Sequence, residues 1–265
     1  MTAVHRDAAE ERIVPGTEHW DESYPDHIQR YRFALRFVEA GAPVLDAGCG
    51  AGYGAAELAD GAAARVVAVD IDGSALELAR RHFDRPGITW IRDDCHALDT
   101  AARYGPFAVI TNFENIEHLA RPADFVARAA ALLRPDGVLL TSTPNRLLLN
   151  ALRGAPPDAP PTNPHHLHEF SEDEFRSLLR RHFDEVRFHY QSPSGAAGLR
   201  LRLRSLAGRL RLLPLLRFVH RRLRRQPSSA PAARRTPRGW AIHDTRPLTG
   251  VAWTIIAVCR GPRAS

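Results

Sequence analysis

The 265-residue chain has no lysine at all: its 36 basic residues are all arginine. Exclusive arginine beside abundant alanine reflects a GC-rich genome more than a function. Cysteine is equally scarce. Cys49, Cys95 and Cys259 are odd in number, far apart and in no CxxC pair. That argues against a disulfide framework or a thiolate zinc site and fits a reducing cytoplasm. No apolar stretch approaches the ~20 residues that span a bilayer. The first residues, MTAVHRDAAEERIV, lack the apolar core of a secretory signal. Acids are missing from one region: between Glu185 and Asp244 there are fourteen arginines and no carboxylate. The other 22 arginines face all 30 acids, so the net charge of +6 averages an acidic body with one strongly basic segment.

An apolar fraction of 44% with 25% charge is ordinary for a globular protein with a sizeable core. The length fits one large domain, or one domain with an appendage. Residues 29–39, QRYRFALRFVE, read as a helix that caps the N-terminal side. PVLDA, RVVAVDID, ITWIRDD, FAVITNF, GVLLTSTPN, EVRFHYQ and VAWTIIAVCR read as seven strands. Helices fall between them at AAELA, SALELARRHF, PADFVARAAALL and SEDEFRSLLRRHF. Ser74 is the expected cap of the second of these, and Ser171 with Glu174 has capping-box spacing. Strands alternating with helices imply a Rossmann-like α/β fold, a doubly wound and mostly parallel sheet covered on both faces.

The stretch VLDAGCGAGYG carries glycines at 48, 50, 52 and 54. A strand-to-helix loop needs glycine where φ is positive or where a ligand must touch backbone, and the following helix offers free N–H groups. A tight turn without a ligand would look the same. Two acids sharpen the reading. Asp70 ends the second strand, where a carboxylate can accept both ribose hydroxyls of a nucleoside. Asp94 ends the third, where it can accept from an adenine amino group. Asp46, before the loop, could meet a ligand ammonium. The chain has no GKS or GKT for a triphosphate, and the glycine spacing fits a pyrophosphate loop poorly. S-adenosylmethionine suits this set better than NAD.

Taken in order, VLDAGCGAGYG, VVAVDID, IRDDCHAL, FAVITNFENIEHL and LLRPDGVLLTSTPN resemble the motifs of the class I S-adenosylmethionine-dependent methyltransferases. The match runs from about residue 28 to 190 and resumes over 248–260. The resemblance implies a seven-stranded sheet whose last strand is antiparallel. It implies Asp46 near the methionine ammonium, and Gly48, Cys49, Gly50 and Gly52 beneath the cofactor. It places Asp70 on the ribose with Ile71 beside it, Asp94 and the backbone of Cys95 on the adenine, and Asn112 at the methionine end.

In NFENIEHLARP, residues 112–122, Glu114, Glu117 and His118 follow a strand at the end where ligands bind in such sheets. On a helical turn these positions share one face. Two carboxylates and an imidazole can hold a hard or borderline divalent cation such as magnesium, manganese, iron or zinc, with a fourth ligand from His165, His166 or His168 in NPHHLHEF. His118 could instead be a metal-free general base, or the group could be dipole-favoured glutamates beside a packed histidine. The E-x-x-E-H block is similar to that of ubiquinone-pathway O-methyltransferases and of small-RNA 3′-terminal 2′-O-methyltransferases. The latter resemblance implies a metal held by Glu114, Glu117, His118 and a later histidine, matched here to His166. The expected catalytic residues are therefore His118, Glu114 and His166.

Residues 199–225, LRLRLRSLAGRLRLLPLLRFVHRRLRR, place leucines on one helical stripe and arginines opposite, with Pro214 dividing the helix. Three readings stay open: a surface helix for anionic membrane at the inner face, a packed lid or homodimer element, and an RNA-phosphate contact, for which one aromatic, Phe218, is little. QPSSAPAARRTPRG, within 226–239, reads as disordered. The expected organisation is a catalytic domain over 1–195 and 246–265, with an arginine-rich insertion over 196–245. The expected reaction is methylation of a hydroxyl, less readily an amine, of a small molecule, natural product or glycan. RNA 2′-O-methylation and a non-catalytic cofactor-binding or membrane-recruited module are the alternatives.

Overall fold

The computed structural model describes residues 13–61, 65–194, 203, 240–245 and 252–263. The expected helix over 199–225 and the expected disorder over 226–239 lie outside them, Leu203 excepted. Six α-helices are described: α1 (Glu18–Ala34), α2 (Tyr53–Gly61), α3 (Gly73–Phe83), α4 (Pro122–Leu132), α5 (Arg146–Arg153) and α6 (Glu172–Leu179). The strands are β1 (Pro43–Ala47), β2 (Arg65–Asp70), β3 (Ile88–Arg92), β4 (Phe107–Phe113), β5 (Leu133–Pro144), β6 (Phe183–Pro193), β7 (Trp240–His243) and β8 (Thr254–Pro262).

They form one sheet in the order β3-β2-β1-β4-β5-β8-β6-β7. The pairs β3–β2, β2–β1, β1–β4 and β4–β5 are parallel, and β8 runs antiparallel to both β5 and β6. The seven expected strands are present, and the last is antiparallel. An eighth, β7, pairs antiparallel with the end of β6, Tyr190 to His243 and Pro193 to Trp240. It lies inside 196–245, so the stretch expected as an insertion ends on an edge strand of the sheet. Four residues after a basic low-complexity run give too little alternation to show as a strand.

The central strands are buried on both faces, which explains their unbroken apolar runs. Leu45, Val67 and Ile110 pack with Phe125, Phe175 and Leu179 on the side of α4 and α6. Val44, Val66 and Ala68 pack with Tyr31, Ala34 and Leu76 on the side of α1 and α3. Burial of each large side chain contributes roughly 1.5–3 kcal/mol. The capping box of Ser171 and Glu174 is present at α6. At α3 the cap is Asp72, whose Oδ1 accepts from Ser74 N at 2.8 Å, rather than Ser74 itself. Helix α1 starts at Thr17, well before residue 29. Its first turns, EHWDESYPDH, are too polar to show an apolar stripe.

The strand order reverses between β1 and β4: the chain runs outward to β3, then returns to β1's other side. The loops after β1 and β4 therefore diverge and leave a crevice at the carboxyl ends, where open α/β sheets bind ligands. No helix among the described residues is long and apolar enough to cross a membrane.

Candidate active site

The loop after β1 forms the floor of the crevice. Gly48, at φ +79°, would put a Cβ 2.5 Å from Asn115 Cγ, so no side chain fits there. Gly50, at φ +53°, has nothing within 4 Å of its Cβ position and leaves the backbone open to a ligand. Asp70 ties this loop to β2. Its Oδ2 accepts from Gly50 N and its Oδ1 from Asp72 N, both at 2.9 Å. A carboxylate has two acceptor oxygens, the pattern that the two hydroxyls of a ribose would need. Ile71 beside it is 62% exposed, an apolar surface of the kind that flanks a base.

Asp94, at the end of β3, accepts from His96 N at 2.9 Å and from the His96 ring at 2.6 Å. Burial pushes its carboxyl up, but the two His96 hydrogen bonds outweigh it and hold the group below the usual range. Cys49 and Cys95 are buried, free thiols.

Two expected cofactor residues have their side chains buried and engaged within the sheet. Asp46 is fully buried; Tyr31 Oη donates to it at 3.2 Å and Thr111 Oγ1 at 2.8 Å. Burial raises its pKa to about 7 against the pull of those hydroxyls, with the Asp70 charge adding to the rise. Asn112 donates from Nδ2 to Ala47 O at 2.9 Å and accepts from Thr141 Oγ1 at 3.2 Å. Its amide is thus a strut across β1, β4 and β5. The residues missed from sequence are aromatic. Tyr53 opens α2 and receives the edges of Tyr24, Tyr31 and Trp20, with its hydroxyl 2.9 Å from His27 Nδ1. The G-Y-G step inside the glycine loop was the available signal.

The loop after β4 corrects the expected geometry. Glu114 is not on a helical turn: its φ is +49°, and a 3₁₀ turn follows at Ile116–His118. Its carboxylate turns to Ser142, whose Oγ donates to Glu114 Oε1 at 2.8 Å. Glu117, His118 and His166 do converge, with one potential ligand atom from each lying within 4.8 Å of the others. Glu114 is outside that group, so of the four ligands that the resemblance implies, three come together among the described residues.

The three are fixed by the histidine-rich loop. Leu167 N and His168 N donate to Glu117 O at 2.9 and 3.0 Å. His118 Nδ1 lies 2.9 Å from His165 O; a carbonyl only accepts, so Nδ1 carries a proton there. His165 and His168 supply backbone here rather than imidazole ligands. Glu117 is 1% exposed, and its Oε2 has no partner among the described residues. Burial first, and then the Glu114 charge, push its pKa well above the ordinary carboxylate value.

Behind this site a charged network is buried. Arg30 on α1 is fully enclosed; its Nη1 donates to Gln191 Oε1 at 2.5 Å and lies 3.4 Å from Asp26 Oδ2. The Glu114 charge acts on the same guanidinium.

Known proteins resemble this chain in sequence and in fold. A family model described as a methyltransferase domain matches residues 18–182. The chain belongs to that methyltransferase family. Within it, the chain is 36% identical over 170 residues to a Mycolicibacterium smegmatis protein named "Probable S-adenosylmethionine-dependent methyltransferase", covering 64% of this chain and 62% of that one. It is 40% identical over 118 residues to the ubiquinone biosynthesis O-methyltransferase of Thiobacillus denitrificans, covering 42% of this chain and 50% of that one. The matches to the curated relatives thus span less than two thirds of those proteins' lengths. The N-methyltransferase NodS from Bradyrhizobium japonicum, solved with S-adenosyl-L-homocysteine, superposes with a TM-score of 0.55 at 18% identity, covering 72% of this chain and 92% of that one. That likeness shows a shared fold. The methyltransferase has the class I architecture expected from its motifs.

Proposed function

We propose that the protein transfers a methyl group from S-adenosylmethionine to a hydroxyl oxygen of a small molecule or glycan. The observation that carries this reading is the Glu117–His118–His166 cluster at the carboxyl end of β4, beside the glycine loop. Transfer to oxygen needs a way to remove the hydroxyl proton, and this cluster is suited to that. The acceptor oxygen bonds to the methyl carbon as the carbon–sulfur bond breaks, and sulfur keeps the electron pair. The protein's task is mainly alignment of the two reactants. The proton passes to an imidazole of the cluster, His118 or His166, acting as general base. Similarity to the ubiquinone biosynthesis O-methyltransferases favours oxygen as the acceptor atom.

The donor set also fits a hard or borderline divalent cation. One carboxylate oxygen and two imidazole nitrogens lie within 4.8 Å of one another, and the buried Glu117 Oε2 lacks a partner among the described residues. Glu117, His118 and His166 would hold the ion. When bound, it would lower the pKa of a coordinated hydroxyl.

The test is transfer of labelled methyl from S-adenosylmethionine to a cell extract, with and without nuclease and with and without chelator. Nuclease-resistant labelling of a product whose methyl sits on oxygen is expected. Nuclease-sensitive label would favour ribose methylation of RNA, and label on nitrogen would overturn the acceptor reading. Loss of turnover with chelator, restored by divalent ion, would separate the metal reading from the metal-free base.

A further inference from the structure

His118 and His166 are backed by different groups. His118 Nδ1 is held by a neutral acceptor, the His165 carbonyl. His166 Nδ1 lies 3.2 Å from Glu169 Oε1. Glu169 is 6% exposed, and its Oε2 has no hydrogen-bond partner among the described residues. Burial of a carboxylate is costly unless the charge is used or compensated. Glu169 Oε1 pairs with the ring of His166, which is itself mostly buried.

The position of Glu169 is strongly determined. Arg146, the first residue of α5, donates its backbone N–H to Phe170 O and its Nη1 to Glu169 O, each at 3.2 Å. Arg146 Nη2 also pairs with Glu174 Oε2 at 2.9 Å, and Glu174 closes the capping box of α6. The start of α5 therefore holds the backbone at Glu169 and Phe170, and Arg146 is itself tied to the start of α6. Beside the pair lies a cavity of about 400 Å³ whose lining includes Leu149, Leu152, Arg153, Asn163, His166 and Glu169.

We propose that Glu169 is a positioning residue of the active site: by accepting from Nδ1–H it fixes His166 in the tautomer whose Nε2 lone pair joins the Glu117–His118 cluster. It also brings a second carboxylate to a cluster whose single carboxylate is Glu117. An ionised carboxylate can only accept, so the imidazole proton stays on Nδ1. A carboxylate behind an imidazole orients the ring and raises its basicity, and loss of such a partner typically costs 10–100-fold in metal affinity or activity. The inference makes His166 the more electron-rich of the two histidines. It rests on the functional reading above, since the cluster is what Glu169 would serve.

Three proteins test it: wild type, Glu169→Ala and Glu169→Gln. Nitrogen-15 spectra of the histidine rings report the tautomer, the absorption bands of added cobalt(II) report the cluster, and calorimetry with S-adenosylhomocysteine reports the cofactor crevice. Wild type is expected to hold His166 as Nδ1–H. In Glu169→Ala the Nε2–H tautomer should take over and cobalt affinity should fall about 10–100-fold. Glu169→Gln keeps an accepting oxygen, so it should restore the tautomer while recovering cobalt affinity only in part. S-adenosylhomocysteine affinity should be equal in all three. A Glu169→Ala protein that keeps Nδ1–H on His166, with cobalt affinity unchanged, would overturn the proposal. If the alanine variant does not fold, the glutamine variant decides, and cobalt affinity equal to wild type would count against the role of the charge. A wild type that binds no cobalt would defeat the metal reading alone, and the tautomer would still decide for Glu169.

Discussion

The imidazole rings of His118 and His166 stand 5.0 Å apart, nearly perpendicular at 76°, although they come from separate loops. The first loop leaves β4, and the second is bound to it by Leu167 and His168 donating to Glu117 O. If this pair manages the acceptor's proton, substitution of either ring acts on turnover before it acts on cofactor binding. His118→Ala should lower the rate by ~10²–10⁴, with S-adenosylhomocysteine affinity unchanged by calorimetry. A fully active His118→Ala protein, assayed with chelator present, would leave the cluster a packing feature.

Asp46 gives a pH prediction. Its folded pKa is about 7, above the ordinary carboxylate value of 3.8, because it is buried. The folded state therefore holds this proton more tightly than the unfolded chain does. Its contribution to stability falls as pH rises from about 4 to about 7 and is level beyond. Asp46→Asn removes that loss while leaving an oxygen to accept from Tyr31 and Thr111. The stability of Asp46→Asn relative to wild type should thus be greater at pH 8 than at pH 5, read from urea midpoints without cofactor. A difference that is the same at both pH values would contradict the burial argument.

The Arg30 network gives a stability prediction. Arg30 sits fully enclosed between Asp26 and Gln191. Removing one member of a buried charged pair leaves the other uncompensated, at ~3–5 kcal/mol. Arg30→Ala should lower the urea midpoint accordingly and do so more than Arg32→Ala, whose pairing with Glu57 is surface-exposed. Equal midpoints for the two variants would show that the network carries no such energy.

Legibility in the sequence followed how local each feature is. The buried strands were visible as apolar runs, the α6 cap as Ser171 and Glu174, and the cofactor loop as glycines followed by Asp70. Each is fixed by neighbours within a few positions or by a repeated period. Helix α1 was read too short because polar residues fill its first turns, and β7 was missed because four residues give no period. The left-handed Glu114 broke the helical-face argument, since it turns that side chain to Ser142, 28 positions away. The bond from Arg30 to Gln191 joins residues 161 apart and has no local signature. Glu169 could have been seen: it follows His166 by three residues, the spacing at which side chains meet on a turn.

The most direct test of the central claim is a calorimetric titration of the full chain with S-adenosylhomocysteine, beside Asp70→Ala. Asp70 holds the glycine loop through Gly50 N and is the acceptor expected for the ribose hydroxyls. Hydrogen bonds to a charged acceptor contribute ~1.5–3 kcal/mol each. Saturable binding to wild type is predicted, weakened at least tenfold by Asp70→Ala. Absence of binding to wild type, or equal affinity in both proteins, would contradict the account.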